Sequence, residues 1–229
     1  MFESTQDLPE ARLWAEDFLA GKNAAKYYLS DENFVTAYRQ EDGFSFIVKG
    51  EPFYAQLYGA NAYLDPRCNE VAVESSSRFR DESFAVRGGG FEFWEVETMN
   101  SHAPIELLTD HDEINTLIEN HAPDSSTRPG DHEEVFWGGI RNLQGDLVAC
   151  AVVVKWQSGF HIVASVTTRT SERGQGIGTA LIIGIASRAR ELEIPRLGLG
   201  MRRGNTPAQR IYEKAGYKRI GTFTNYSRG

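Results

Sequence analysis

Apolar side chains recur along this chain at two spacings, one helical and one strand-like, and the places where they switch divide it into elements. Between residues 8 and 19, Leu13, Phe18 and Leu19 stand among acids at helical intervals, and a second short helix is predicted over 24–29. Strand texture follows. Aromatic and β-branched runs at 34–38, 44–48 and 53–58 are separated by Glu41-Asp42-Gly43 and Gly50-Glu51-Pro52, which predicts a meander. Further strands are expected at 71–74 and 91–96. Gly88-Gly89-Gly90 precedes the run Phe91-Glu92-Phe93-Trp94, and with no helical pattern after it a turn is expected rather than a phosphate loop.

A polar passage ending in Pro104 predicts a boundary, placing an N-terminal α+β region over 1–100 and a second domain over 104–229. In that second part a strand is predicted at 105–108. Asp110 with Glu113 three residues later reads as a capping box for a helix through Ile114, Leu117 and Ile118. A polar loop covers 122–132. Strands at 135–141 and 146–155 flank the hairpin signal Asn142-Leu143-Gln144-Gly145, and another strand covers 160–168. A helix over 176–192, a strand over 196–201, a short helix over 207–215 and a final strand over 217–224 complete the pattern. The sequence shows no internal repeat. Whether the first hundred residues are nonetheless a degenerate second copy of the following fold is left open by the pattern.

Charge sharpens the division. The chain carries a formal net charge of −8, yet residues 1–100 hold 9 Lys/Arg against 18 Asp/Glu, and residues 101–229 hold 15 against 14. An acidic first half argues against a nucleic-acid partner; it is foremost a solvated acidic surface and is compatible with a cationic substrate or peptide. Two cysteines, Cys68 and Cys150, are too few for a disulfide framework, so both are expected as buried small hydrophobes in a reducing, cytoplasmic setting. Residues 1–19 lack the basic start and apolar run of a signal peptide, and no apolar stretch is long enough to span a membrane. His102, His111, His121, His132 and His161 are scattered without metal-site spacing, so no metal is expected.

The richest passage runs from Val166 to Leu181. A strand ends, a short loop turns, and Gly174, Gly176 and Gly178 open a helix with Leu181, Ile185, Ala189 and Leu192 on one face. Unpaired amides and the positive dipole end of such a helix bind anions, and glycines let a pyrophosphate approach. The segment Gly176-Ile177-Gly178-Thr179 lacks the lysine of a P-loop, and no acid ends a following strand as in a dinucleotide fold.

Arg173-Gly174-Gln175-Gly176-Ile177-Gly178 resembles the Gln/Arg-x-x-Gly-x-Gly/Ala signature of the GNAT N-acetyltransferase superfamily. The segment from Asn205 through Ala208, Tyr212, Glu213 and Gly216 to Tyr217 is similar to that family's second block, in the required order. The resemblance covers residues 104–229. It implies an α/β (α+β) fold of GNAT type, a mixed central sheet flanked by helices, preceded here by the N-terminal α+β region. It also implies acetyl-CoA as co-substrate. Backbone groups of Val166, Thr167 and Thr168 would pair with the pantetheine arm, and amides of Gly174, Gln175, Gly176, Ile177, Gly178 and Thr179 would hold the pyrophosphate. Asn205 would touch the pantetheine or cap the next helix, and Arg173 and Arg169 would add charge attraction.

The same resemblance makes Tyr212 the general acid and the backbone N–H of Thr168 the oxyanion donor. For the base the residues offer His161, Glu134 and Glu133, with His132 and Glu172 behind them. Phe136, Trp137 and Trp156 are expected either to shape the acceptor pocket or to fill the core. The expected activity is transfer of an acetyl group to a primary amine of a small molecule or peptide in a ternary complex, with no nucleic-acid or membrane partner and possible homodimerisation through an edge strand. The competing readings are a catalytically silent acyl-CoA-binding module and an acyltransferase for longer chains, decided by pocket depth around Ile162, Val166 and Ile211.

Overall fold

The structure, a computed structural model, describes residues 2–101, 103–125, 127–131 and 133–229. In chain order it forms β1 (Glu3–Thr5), α1 (Leu8–Asp17), α2 (Ala25–Tyr28), β2 (Phe34–Gln40), β3 (Gly43–Val48), β4 (Phe53–Tyr58), β5 (Cys68–Glu74), β6 (Phe84–Val86) and β7 (Phe91–Glu97). Then come β8 (Glu106–Leu108), α3 (His111–His121), β9 (Glu134–Arg141), β10 (Leu147–Lys155), β11 (His161–Thr168), α4 (Ile177–Glu191), β12 (Arg196–Arg202), α5 (Thr206–Lys214) and β13 (Lys218–Arg228). Two compact units result. The first takes the chain up to Phe93 together with 200–204 and 219–229, and the second takes 94–199 and 205–218.

In the first unit β1, β2, β3 and β4 pair antiparallel in sequence order, β4 pairs parallel with β5, and β13 adds antiparallel to β5 and to β6. Every residue of β3 is buried, as expected of a strand covered on both faces. The helix α1 starts where Asp7 accepts a hydrogen bond from the Glu10 amide, and it buries Leu8, Ala11, Trp14 and Ala15 at helical spacing. It ends where the Asn23 side-chain amide donates to the carbonyls of Ala15 and Phe18. A separate core gathers Ile47, Ala55, Leu57, Cys68, Val71, Val73 and Phe84.

The second unit is built on the fully apolar middle of β10, in which only Lys155 is exposed. Strands β8, β9, β10 and β11 pair antiparallel in sequence order, and β11 meets β12 in parallel. From α3 come the buried Ile114, Leu117 and Ile118; from α4 come Leu181, Ile182, Ile185 and Ala189. Both units therefore share one plan: strand, helix, three antiparallel neighbours, then a parallel fifth strand. The repeat invisible in the sequence is present in the topology. What differs is the crossover. Nine residues without a helix join β4 to β5, whereas α4 lies between β11 and β12.

Several local expectations are corrected. The three-residue strands β1 and β6 were too short to leave a periodic trace. Asp110 does cap α3, accepting from the amides of Asp112 and Glu113. Glu113 does not complete the box, because Arg141 grips its carboxylate with two hydrogen bonds of 2.6 and 2.7 Å. Leu192 is the C-cap of α4 and 40% exposed rather than part of its apolar face. The final strand runs on to Arg228, beyond the expected end.

Candidate active site

The site is assembled in the second unit around the end of β11. Ladder pairing between β10 and β11 slips by one residue between Cys150 and Val152, and Ser165 there adopts φ +50°, the mark of a bulge. The Ser165 hydroxyl donates to the Thr127 carbonyl at 2.7 Å, pinning Thr127 to the bulge. Past the bulge, the Arg169 amide donates to the Val148 carbonyl. Strand alternation therefore turns the Thr168 amide, and the Val166 amide two residues back, away from β10. On that side β12 pairs with β11 at Ile162 and Gly198 alone, so the two parallel strands diverge and leave these amides facing a gap.

Beyond the gap lies the start of α4. Its N-cap, Gly176, sits at φ +84° with no side-chain cap, and Gly174 has φ +81°. The Ala180 amide is the first to reach an intrahelical partner, the Gly176 carbonyl at 3.0 Å. The amides of Ile177, Gly178 and Thr179 thus point out of the helix end unpaired. A Cβ built on Gly174 or Gly176 meets nothing within 4 Å, so open space stands above this nest of donors. This arrangement fits a pyrophosphate. Gly178 serves packing instead: a Cβ there would lie 3.0 Å from Ile211 Cδ1 and 3.3 Å from Thr168 Oγ1. It brings the ends of β11, α4 and α5 together.

Tyr212 follows Ile211 on α5 and is buried. Burial pushes its phenol up to about 12, so it stays protonated through the neutral range. Its place is set by the helix end. Gly216 adopts φ +84°, its amide bonds to the Glu213 carbonyl, and the Tyr217 amide bonds to the Tyr212 carbonyl at 2.9 Å, a full Schellman closure. The rings of Tyr212 and Tyr217 lie 5.8 Å apart. Asn205 caps the other end, its Oδ1 accepting from the Ala208 amide at 3.3 Å.

The two arginines are committed to the scaffold. Arg173 donates to the Thr168 carbonyl at 3.1 Å and to the His121 carbonyl, the last residue of α3, at 2.7 Å. Arg169 bonds to Asp146 and to the Leu147 carbonyl. His121 adds a second tie, its Nδ1 lying 3.1 Å from Thr170 Oγ1 and 3.3 Å from the Thr170 amide. Gln175 turns its amide back onto the Ser171 carbonyl and Glu172.

The base candidates lie elsewhere. His161 opens β11, seven residues before Thr168, or about 23 Å of strand. Burial first, then the nearby Lys155 charge, lowers its pKa, with Glu133 opposing. Glu133 lies 3.7 Å from Lys155. Glu134 accepts from the Gly130 amide at 2.6 Å and so braces the loop. His132 lies outside the described residues. Trp137 is buried, whereas Phe136 and Trp156 are half-buried. Cys68 and Cys150 are both buried, which pushes each thiol up to about 12. Among the described residues no group of His, Cys, Asp and Glu is arranged to hold a metal, and no helix is long and apolar enough to cross a membrane. Ser165, Thr127, His121 and Thr170 were not singled out by sequence reasoning, since a serine in a strand or a histidine at a helix end carries no signal of such contacts.

The sequence profile of the acetyltransferase (GNAT) family matches residues 98–217. No curated protein matches the chain by sequence. Among solved structures, a GCN5-related N-acetyltransferase from Kribbella flavida is similar over 95% of both chains, with 16% identity and a TM-score of 0.57. A GCN5-related N-acetyltransferase from Sphaerobacter thermophilus covers 98% of this chain and 94% of its own, with 13% identity and a TM-score of 0.56. An acetyltransferase from the GNAT family of Colwellia psychrerythraea covers all of both chains at 12% identity and a TM-score of 0.54. These likenesses concern the fold, and they extend over the first hundred residues as well.

Proposed function

The chain belongs to the acetyltransferase (GNAT) family, and from that premise we propose that it transfers the acetyl group of acetyl-CoA to a primary amine of a small molecule or peptide. The observation that carries this reading is the parting of β11 from β12 beside the unpaired first-turn amides of α4. Acetyl-CoA supplies the activated acyl thioester. The nest from Gly174 to Thr179 receives its pyrophosphate, and the outward amides of Val166 and Thr168 take its pantetheine arm like an added strand. The Thr168 amide is the proposed donor to the developing oxyanion.

Tyr212 is the proposed general acid. A buried phenol that keeps its proton at neutral pH is suited to donate it to a departing thiolate. Asn205 shapes the start of the helix that carries it. For the base, His161 is held neutral by its burial and Glu134 is the second candidate, each acting through water because of its distance along the sheet. The acidic first hundred residues favour a cationic amine over an acidic acceptor. The protein is proposed to work in the cytoplasm, without nucleic acid or membrane as partner, and to form homodimers through an exposed edge strand.

The test is CoA release from acetyl-CoA across a panel of amines, alongside calorimetry of acetyl-CoA binding. Tyr212→Phe is expected to lower turnover by roughly 10²-fold or more while leaving acetyl-CoA affinity within about twofold. Binding without turnover on any amine would point to the silent module or a longer acyl donor. Absence of binding would overturn the reading.

A further inference from the structure

The first unit holds a cleft of about 450 Å³ that the acetyltransfer reading does not use. Tyr28, Tyr54 and Phe91 line it, with Glu70 and Arg87 beside them and Val71, Asn225 and Tyr226 contributing its edge. The volume is within the range of small-molecule sites. Its walls are fixed by the fold. Tyr54 and Glu70 are cross-strand partners on β4 and β5, and Tyr226 pairs with Val71 of β5. Beneath Tyr54 the fully buried Gln56 accepts from the Tyr58 hydroxyl at 2.5 Å and donates to the Tyr54 hydroxyl at 3.4 Å.

Charge decides what such a cleft takes. Aromatic faces attract cations, and Glu70 offers the cleft's carboxylate. The surrounding residues 1–100 carry twice as many acids as bases, which draws cations toward it. In the structure a cation already sits there: the guanidinium of Arg87 is ion-paired with Glu70. That side chain is 64% exposed and leads into Gly88 at φ +68°, with open space around Gly88 and Gly89. An exposed pair of this kind is weak and easily exchanged.

We propose that this cleft is a second binding site, for a guanidinium or primary ammonium group on an apolar stem, with the cation on Glu70 in place of Arg87 and the stem among the rings of Tyr28, Tyr54 and Phe91. The site is independent of acetyl transfer, and a guanidinium probe keeps the two apart because it is a poor acetyl acceptor. The experiment is calorimetric titration of the full chain with n-butylguanidinium chloride, with hexanoate as the anionic control. Glu70→Gln is expected to weaken binding at least tenfold. Arg87→Ala is expected to tighten it by threefold or more, since the competing cation is gone, and Tyr54→Leu to weaken it while thermal unfolding reports an intact fold. Weaker binding in Arg87→Ala, equal binding in Glu70→Gln, preference for hexanoate, or no binding of either probe would each overturn the proposal.

Discussion

Tyr212 is where burial has a measurable sign. Its phenol, ordinarily near 10, is pushed up to about 12 because burial penalises the anion. The folded state then holds this proton more tightly than the unfolded chain does. Its contribution to stability is complete below pH 10 and is lost as pH rises toward 12, on the order of 2 kcal/mol. Urea denaturation at pH 9 and pH 11.5 is expected to show a larger loss for the parent chain than for Tyr212→Phe. His161 has the opposite sign. Its lowered pKa means the unfolded chain binds the proton more readily, so stability present above pH 6.5 is lost as pH falls. As the proposed base it places the acid limb of kcat/KM below pH 6.5, and His161→Gln is expected to remove that limb; an unchanged profile would pass the role to Glu134. At this scale the glycines and Tyr212 were legible because a turn demands Gly and a motif fixes spacing. Arg173 was legible in position, while its ties to the scaffold were not. A guanidinium can serve a phosphate or a carbonyl equally well, and here the Thr168 and His121 carbonyls took it.

Two helix ends of the same design differ in the residue that closes them. At α5 the left-handed position is Gly216; at α4 it is Glu193, at φ +60°, where the Ile194 amide bonds to the Ala189 carbonyl and the Glu193 amide to Arg190. A side chain in that conformation costs about 1 kcal/mol or more. Glu193→Gly is expected to stabilise the chain by about 1 kcal/mol in urea titration, less if glycine's freedom in the unfolded state offsets part of it. Gly216→Ala is expected to destabilise by about 1 kcal/mol or more and to lower turnover, because the closure it makes carries Tyr212. Elements were legible where their pattern was long. The strands β9, β10 and β11 and the helix α4 announce themselves over eight residues or more, whereas β1 and β6 are made by pairing with β2 and β13 rather than by their own residues. The half-formed box at α3 failed for a related reason, since Arg141 is 28 residues from Glu113 and its pull is not local.

Across the molecule, the repeated plan explains why a single nucleotide-binding gap is expected. In the second unit β11 and β12 touch at one position and part, whereas in the first unit β4 and β5 pair from Phe53 through Leu57, leaving no room for an added strand and no helix to end beside one. Calorimetry is expected to return one acetyl-CoA per chain, and a second equivalent would contradict this account. The sequence could not declare the duplication, because what the two units share is strand order, and strand order places few demands on residue identity. The last strand has a consequence of its own. Proteins are made from their N-terminus, and domains ordinarily fold in the order they emerge. Here residues 219–229 complete the sheet of the first unit by pairing with β5, yet they are translated after every residue of the second. The half that leaves the ribosome first must wait, with the edge of β5 uncovered, until the other half has already been made.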